Sequence, residues 1–187
     1  SVYNETRTSS TCNLPNSDEI VFRIKKKISA YLGIELNKGE DIQGQLYEPG
    51  QYFHPHHDYF DGNTYINHCL ASGNRTDTFM VFLNEDLEGG YTNFPHHNLS
   101  LKPATGKAVT WNSMIGEEYQ GTSLHEGQTV TKGKKYIITS WWRESIWQPA
   151  EDARRAKSYH SAISSKQNIK TKTFSSQVNF PKFTTSG

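Results

Sequence analysis

The hydrophobic positions of the chain change their spacing near residue 40. Over residues 16–32, apolar side chains recur near the helical period and polar residues at the start can cap a helix, so this segment is predicted to be helical. From residue 41 onward, short runs rich in Tyr, Phe, Val, Ile and Thr are separated by Gly, Pro and Asn, which is typical of antiparallel strands joined by turns. The predicted strands cover residues 42–47, 51–58, 78–83, 91–94, 99–103, 107–111, 122–125 and 135–142.

These strands favour a mainly β fold with flanking helices, arranged as a double-stranded β-helix, the jelly roll found in cupins. The polar segment 60–77 is long for a connection in a compact domain, and it is interpreted as a mobile lid over the functional site. Beyond residue 148 the composition changes. We therefore predict one domain over residues 1–148 and an extension over 149–187, with a short helix at 151–159 followed by a polar tail.

Length, charge and cysteine content exclude several classes of protein. A chain of 187 residues is expected to form one domain with a sizeable core. Its net charge of +1 gives no sign of a nucleic-acid partner, and no apolar run approaches the roughly 18 residues of a membrane span, so neither nucleic acid nor membrane is expected as a partner. The two cysteines, Cys12 and Cys69, could form a single bridge, but two reduced thiols are favoured, which points to a reducing compartment such as the cytoplasm.

Two histidines and one aspartate carry the clearest candidate chemistry. His56 and Asp58 are two positions apart, so on a strand both side chains point to one side while His57 points to the other. With the distant His125 they complete the two-histidine, one-carboxylate set that binds non-haem Fe(II) and leaves coordination positions open. We therefore expect a metal site in the interior of the barrel.

A basic residue follows the second histidine at a suggestive distance. Lys135 lies ten positions after His125, where the next predicted strand begins, and can reach into the barrel beside the metal. An iron site with open positions and a buried ammonium suits a co-substrate that chelates metal at one end and carries a carboxylate at the other. 2-Oxoglutarate has this shape.

Further sequence blocks extend this pattern over roughly residues 5–145. They are Arg7-Thr-Ser-Ser10, Gln43 to Tyr47, Gly50-Gln51, His56-x-Asp58, Arg75-Thr-Asp-Thr78, Phe82-Leu-Asn84, Gly89-Gly-Tyr-Thr92-Asn-Phe-Pro95, Pro103-Ala-Thr-Gly106, Trp111-Asn112, His125, Gly133-Lys-Lys135 and Trp141-x-Arg143. In content and order, these blocks make the chain resemble the prolyl 4-hydroxylase family of Fe(II)/2-oxoglutarate oxygenases. Residues 1–148 are accordingly expected to be an oxygenase domain of this type.

The resemblance implies a role for each matching residue. His56, Asp58 and His125 would be the catalytic metal ligands, and Tyr47, Thr92 and Lys135 would bind 2-oxoglutarate. The positions that would contact the substrate are Arg7, Ser9, Glu40, Arg75, Trp141 and Arg143. Fe(II), 2-oxoglutarate and O₂ are the implied cofactor and co-substrates, with ascorbate as reductant. The chain departs from the family at Thr11, where glycine is usual, and at Phe53, where tyrosine is frequent; Arg143 matches the family, although some members have histidine there.

The function implied is hydroxylation of prolyl residues in a peptide or protein, with decarboxylation of 2-oxoglutarate to succinate. An extended Pro-rich segment would suit an aromatic-lined groove. Two alternatives remain open. The substrate could be free proline or another small amino acid, whose carboxylate Arg75 or Arg143 would hold. The chain could also be a catalytically silent jelly-roll binding module, although a silent module would not need both a metal triad and Lys135.

Overall fold

The computed structural model describes the backbone of residues 6–175 and the side chains of residues 6–165. Helix α1 spans Glu19–Leu32 and confirms the predicted helix. The carboxylate of Asp18 accepts hydrogen bonds from two backbone amides of the first turn, and this cap sets the start of the helix slightly later than predicted. Gly33 ends α1 with a φ of 69°, in the left-handed region that glycine adopts without strain.

Short antiparallel strands form the rest of the domain. Within the described residues they are β1 Ser10–Asn13, β2 Gln43–Tyr47, β3 Phe53–His56, β4 Arg75–Phe82, β5 Glu88–Gly89, β6 Thr92–Phe94, β7 Leu99–Leu101, β8 Ala108–Asn112, β9 Met114–Ile115, β10 Glu118–Tyr119, β11 His125–Gly127, β12 Val130–Lys132 and β13 Lys135–Arg143. One sheet has the order β1-β2-β13-β4-β8, and a second has the order β3-β11-β6-β7. Side chains of both sheets line a common pocket, as the predicted double-stranded β-helix requires.

Strand register gives the five-stranded sheet two distinct faces. Lys135 pairs with Tyr47 across β13 and β2, and Ile137 pairs with Phe82 across β13 and β4; these side chains point into the barrel. We call this the inner face. The alternate residues form the outer face, whose buried cluster packs α1 against the sheet and comprises Val21, Ile28, Ile42, Ile138 and Trp142. One strand therefore serves both the pocket and the main apolar core.

The strands differ from the prediction at several places, and the short strands β5, β9, β10 and β12 were not predicted. Over residues 122–125, Gly121–Ser123 forms a 3-10 turn and the strand begins only at His125. Strand β1 was not predicted, because its Ser, Thr, Cys and Asn side chains are all exposed at the sheet edge and show no apolar alternation.

The segment 60–77 is not the continuous loop that its polarity suggested. It contains helix α2, Gly62–His68, which begins with a capping box between Asp61 and Thr64, and its last residues belong to β4. Its interpretation as a mobile lid stays a prediction.

Helix α3, Pro149–Ser175, packs against α2 and is much longer than the helix predicted at 151–159. Its buried Asp152 accepts hydrogen bonds from the backbone of Ala71 and from the backbone and hydroxyl of Ser72. The expected polar stretch continues as helix because it holds no Gly or Pro up to residue 175, and the last part of the predicted tail lies outside the described residues. The domain division at residue 148 stays a prediction. Across residues 6–175, no helix combines the length and apolar character needed to cross a membrane.

Candidate metal centre

Strand pairing brings the three predicted metal ligands together. His56 ends β3 and lies opposite His125 at the start of β11, while Asp58 follows two positions after His56. The Nε2 atom of His56 lies 3.8 Å from Oδ1 of Asp58, and the Nε2 atom of His125 lies 3.9 Å from Oδ2. One potential ligand atom from each of the three residues falls within 4.8 Å of the others. These distances are too long for direct hydrogen bonds between the side chains and suit three ligands of one metal ion.

Both histidines are held in the tautomer that a metal requires. Nδ1 of His56 lies 2.8 Å from the backbone carbonyl of His54, and Nδ1 of His125 lies 2.9 Å from that of Ser123. Because a carbonyl only accepts, each Nδ1 carries the proton, and each Nε2 presents a lone pair to the centre. Such bonds are the usual outer partners of metal-bound imidazoles.

The charge states of the cluster also suit a metal. Burial, together with His125, lowers the pKa of His56, so its imidazole is neutral at pH 7. Burial would raise the pKa of Asp58, but His125, His56, Arg75 and a hydrogen bond from Thr78 outweigh that effect and lower it. Two imidazoles and one carboxylate, with no thiolate, form a donor set that fits Fe(II).

His57 takes no part in this cluster. Its ring stacks on Tyr59 with 4.6 Å between ring centres, and its Nδ1 lies 3.4 Å from the hydroxyl of Ser123. The alternation expected from the sequence therefore separates His57 from the neighbouring ligands.

Lys135 lies in the same pocket and is almost fully buried, with 2% of its surface exposed. Its Nζ lies 3.5 Å from the hydroxyl of Thr92 and 5.3 Å from the ring centre of Tyr47. Among the side chains that the structure describes, no carboxylate pairs with it, and burial lowers its pKa to about 8. A buried ammonium without an anion is costly, so the pocket fits a ligand that brings a carboxylate.

Two residues that the sequence analysis did not single out complete the polar part of the pocket. Gln45 accepts a hydrogen bond of 3.0 Å from the hydroxyl of Tyr47 and donates one of 3.3 Å to Thr139. Thr78, fully buried on the inner face, donates to Asp58 at 2.6 Å. Strand alternation could have found both, because Gln45 shares a face with Tyr47, and Thr78 is a polar residue in phase with the buried Met80 and Phe82.

The predicted substrate residues divide into two groups. Arg7 forms a β-bridge with Phe53, and its guanidinium lies 5.3 Å from the centre of the Phe53 ring, which stacks on His56. Trp141 lines the pocket itself. The buried hydroxyl of Ser9 lies close enough to the phenol of Tyr47 to act on the pKa of that phenol. These three positions border the metal cluster or lie near it.

Glu40, Arg75 and Arg143 instead form a buried ion-pair cluster. Glu40 accepts two hydrogen bonds from Arg75, at 2.7 and 2.8 Å, and one of 2.6 Å from Arg143. Arg143 also donates to the carbonyl of Gly73, and the guanidinium of Arg75 lies 4.0 Å from the ring centre of Trp141. Burial would raise the pKa of Glu40, but the two guanidinium groups lower it. None of the three lines the pocket, so their contact with substrate stays a prediction.

Comparison with known proteins places the chain in a family. Residues 42–143 match the sequence profile of the 2OG-Fe(II) oxygenase superfamily. Prolyl 4-hydroxylase 1 of Arabidopsis thaliana is 32% identical over 160 residues, covering 76% of this chain and 56% of that protein. Prolyl 4-hydroxylase 5 of the same plant is 31% identical over 147 residues, covering 67% and 49%. The chain thus spans about half the length of these relatives.

A solved structure supports the same assignment. The 2OG complex of the viral collagen prolyl hydroxylase from Paramecium Bursaria Chlorella virus-1 is 29% identical, with a TM-score of 0.63, and the match covers 74% of this chain and 80% of that one. This likeness confirms the double-stranded β-helix fold. On the fold, the converging histidines and aspartate, and the matching profile, the chain belongs to the prolyl 4-hydroxylase family of the 2OG-Fe(II) oxygenase superfamily.

Proposed function

We propose that this chain is an Fe(II)/2-oxoglutarate-dependent dioxygenase that hydroxylates prolyl residues in peptides or proteins. His56, Asp58 and His125 would hold Fe(II), and Lys135, with Thr92 and Tyr47, would hold the far carboxylate of 2-oxoglutarate. Bound iron and 2-oxoglutarate supply the activation of O₂, with release of succinate and CO₂ and with ascorbate as reductant. The protein contributes ligand orientation and a shielded pocket.

The observation that carries this proposal is the buried ammonium of Lys135 in the same pocket as the His-Asp-His cluster. In a silent binding module, the buried lysine would cost desolvation free energy that pairing within the protein does not offset. A dicarboxylic ligand that bridges the metal and the lysine would offset that cost. Burial also raises the pKa of Tyr47, so its phenol stays protonated and would donate to such a carboxylate after turning from Gln45, its present acceptor.

The ion-pair cluster weighs against free proline as the substrate. A free amino acid needs a partner for its carboxylate, and the two arginines considered for this role, Arg75 and Arg143, both pair with Glu40. Arg7 and Phe53 lie beside the metal ligand His56, because the Phe53 ring stacks on its imidazole and the Arg7 guanidinium lies near that ring. An aromatic ring and a guanidinium that extend the site beyond the metal ligand suit a peptide better than a single amino acid. The names of the relatives, prolyl 4-hydroxylase and collagen prolyl hydroxylase, support a prolyl residue.

A direct assay tests the proposal. The purified chain, supplied with Fe(II), ascorbate and 2-oxoglutarate, is incubated with a Pro-rich peptide, with the same peptide in which Ala replaces Pro, or with free proline. We expect the first peptide alone to gain one oxygen by mass spectrometry, with matching release of succinate. The His125→Ala variant, which lacks one metal ligand, should show neither product.

Other outcomes would redirect the assignment. Efficient hydroxylation of free proline would favour the small-molecule alternative. Binding of metal and 2-oxoglutarate without turnover of any substrate would favour the silent module.

A further inference from the structure

The carboxylate of Asp58 is held by a side chain that reaches it from the opposite sheet. Thr78 lies on β4 in the five-stranded sheet, and its Oγ1 donates a hydrogen bond of 2.6 Å to Oδ2 of Asp58. Asp58 follows β3, which belongs to the four-stranded sheet. Thr78 is 0% exposed and Asp58 is 6% exposed, so water does not compete for this bond.

We propose that Thr78 is a positioning residue for the metal site, an inference that rests on the proposed function. Asp58 lies two residues beyond the last residue of β3, so the strand ladder does not fix its side chain. The hydrogen bond to Oδ2 occupies one lone pair of that oxygen and restricts rotation of the carboxylate. The other lone pairs of the carboxylate stay available to a metal, and its two oxygens lie 3.8 and 3.9 Å from the Nε2 atoms of the histidines.

Thr78 itself is rigidly placed, which makes it suitable for this role. Its strand is internal to the sheet, and Thr78 lies opposite Trp141 on β13 and Trp111 on β8. Its carbonyl also accepts a hydrogen bond of 2.8 Å from Thr110. The hydroxyl therefore needs little ordering when a metal binds. Partners of this kind commonly change metal affinity by about ten- to a hundredfold when they are removed.

The experiment compares three variants in binding Mn(II), a redox-stable probe, measured by electron paramagnetic resonance on the metal-free protein. Thr78→Val keeps the shape of the side chain and removes the hydroxyl, and we expect it to weaken Mn(II) binding by about ten- to a hundredfold. Thr78→Ser restores the donor and should bind within about threefold of the wild type, since the bond remains. Thr76→Val, the matched control, removes a threonine hydroxyl on the same strand that donates to the carbonyl of Trp142 rather than to Asp58.

The results separate the possible explanations. Equal weakening in Thr78→Val and Thr78→Ser, or in Thr78→Val and Thr76→Val, would overturn the proposal, because shape or general loosening would then explain the loss. Unchanged binding in Thr78→Val would also overturn it. If Thr78→Val does not fold, the pair Thr78→Ser and Thr78→Ala gives the same contrast. Failure of the wild type to bind Mn(II) would instead refute the metal site, and with it the proposed function.

Discussion

Strand β13 contributes to two different environments, one on each face of its sheet. On the outer face, Ile138 and Trp142 pack with α1 in an apolar cluster that is complete within the protein. On the inner face, Lys135, Thr139 and Trp141 line the pocket. Alternation along one strand therefore separates residues that stabilise the fold from residues that line the binding pocket. A register slip of one residue would exchange the two sets, and pairing with β2 on one side and β4 on the other fixes the register.

The largest expected effect lies on the outer face. Trp142→Ala should lower the free energy of unfolding by about 3–5 kcal/mol, because the indole is 0% exposed and leaves a cavity between α1 and the sheet. Urea denaturation measures the change. The control is Tyr136→Ala on the same face, where the side chain is 41% exposed and the loss should stay below about 0.5 kcal/mol. A loss under about 1 kcal/mol for Trp142→Ala would contradict the assignment of this cluster as the main core.

A substitution on the inner face should weaken ligand binding without lowering the stability of the fold. Lys135→Met should raise the 2-oxoglutarate concentration needed for turnover by roughly ten- to a hundredfold, since it removes a charge-assisted bond worth about 1.5–3 kcal/mol. Stability should not fall, because the thioether fills the space of the stem without burying an ammonium. Succinate release and urea denaturation measure the two effects, and unchanged Mn(II) affinity is the control. An unaltered 2-oxoglutarate dependence would show that the co-substrate pocket lies elsewhere.

A pH titration sharpens the same contrast. Burial lowers the pKa of Lys135 from 10.5 to about 8, so above pH 8 the ligand-free protein must take up a proton before it can pair with a carboxylate. Affinity for 2-oxoglutarate should therefore fall by up to about tenfold per pH unit above pH 8. In that range the unfolded chain binds more protons than the native state, so the contribution of Lys135 to stability rises with pH. Calorimetry on the wild type and Lys135→Met should show the affinity trend only in the former.

The smallest effect is expected at the border of the pocket. Arg7→Ala should weaken hydroxylation of a Pro-rich peptide by roughly two- to fivefold, the equivalent of one exposed cation–π contact with Phe53. Decarboxylation of 2-oxoglutarate without peptide should be nearly unchanged, because Arg7 does not line the pocket. Separate measurement of hydroxyproline and succinate distinguishes the two. Peptide hydroxylation that is indifferent to Arg7 would remove this side from the substrate groove.

The sequence predicts features that depend on spacing and misses those that depend on tertiary partners. Strand alternation places His56 and Asp58 on one side of the chain, and the ten-residue spacing after His125 returns Lys135 to the same pocket. The convergence of these residues could therefore be anticipated. Helix α2 was missed because its seven residues carry little helical periodicity and rely on a cap and on packing against α3. Alternation could have placed Gln45 and Thr78 on the inner face, but it does not reveal their hydrogen-bond partners Thr139 and Asp58, which are distant in sequence.

The hydrogen bonds that fix the two histidines have a consequence for how the site can vary. His56 and His125 each bind the carbonyl two residues before them in the chain. Because a backbone carbonyl remains after any side-chain substitution, mutations at positions 54 and 123 should leave both tautomers in place. The aspartate lacks this protection, since its partner is a hydroxyl that a single mutation can delete. Relatives should therefore vary more in residue type at positions 54 and 123 than at position 78. Any relative that replaces Thr78 should carry another hydrogen-bond donor within reach of Asp58.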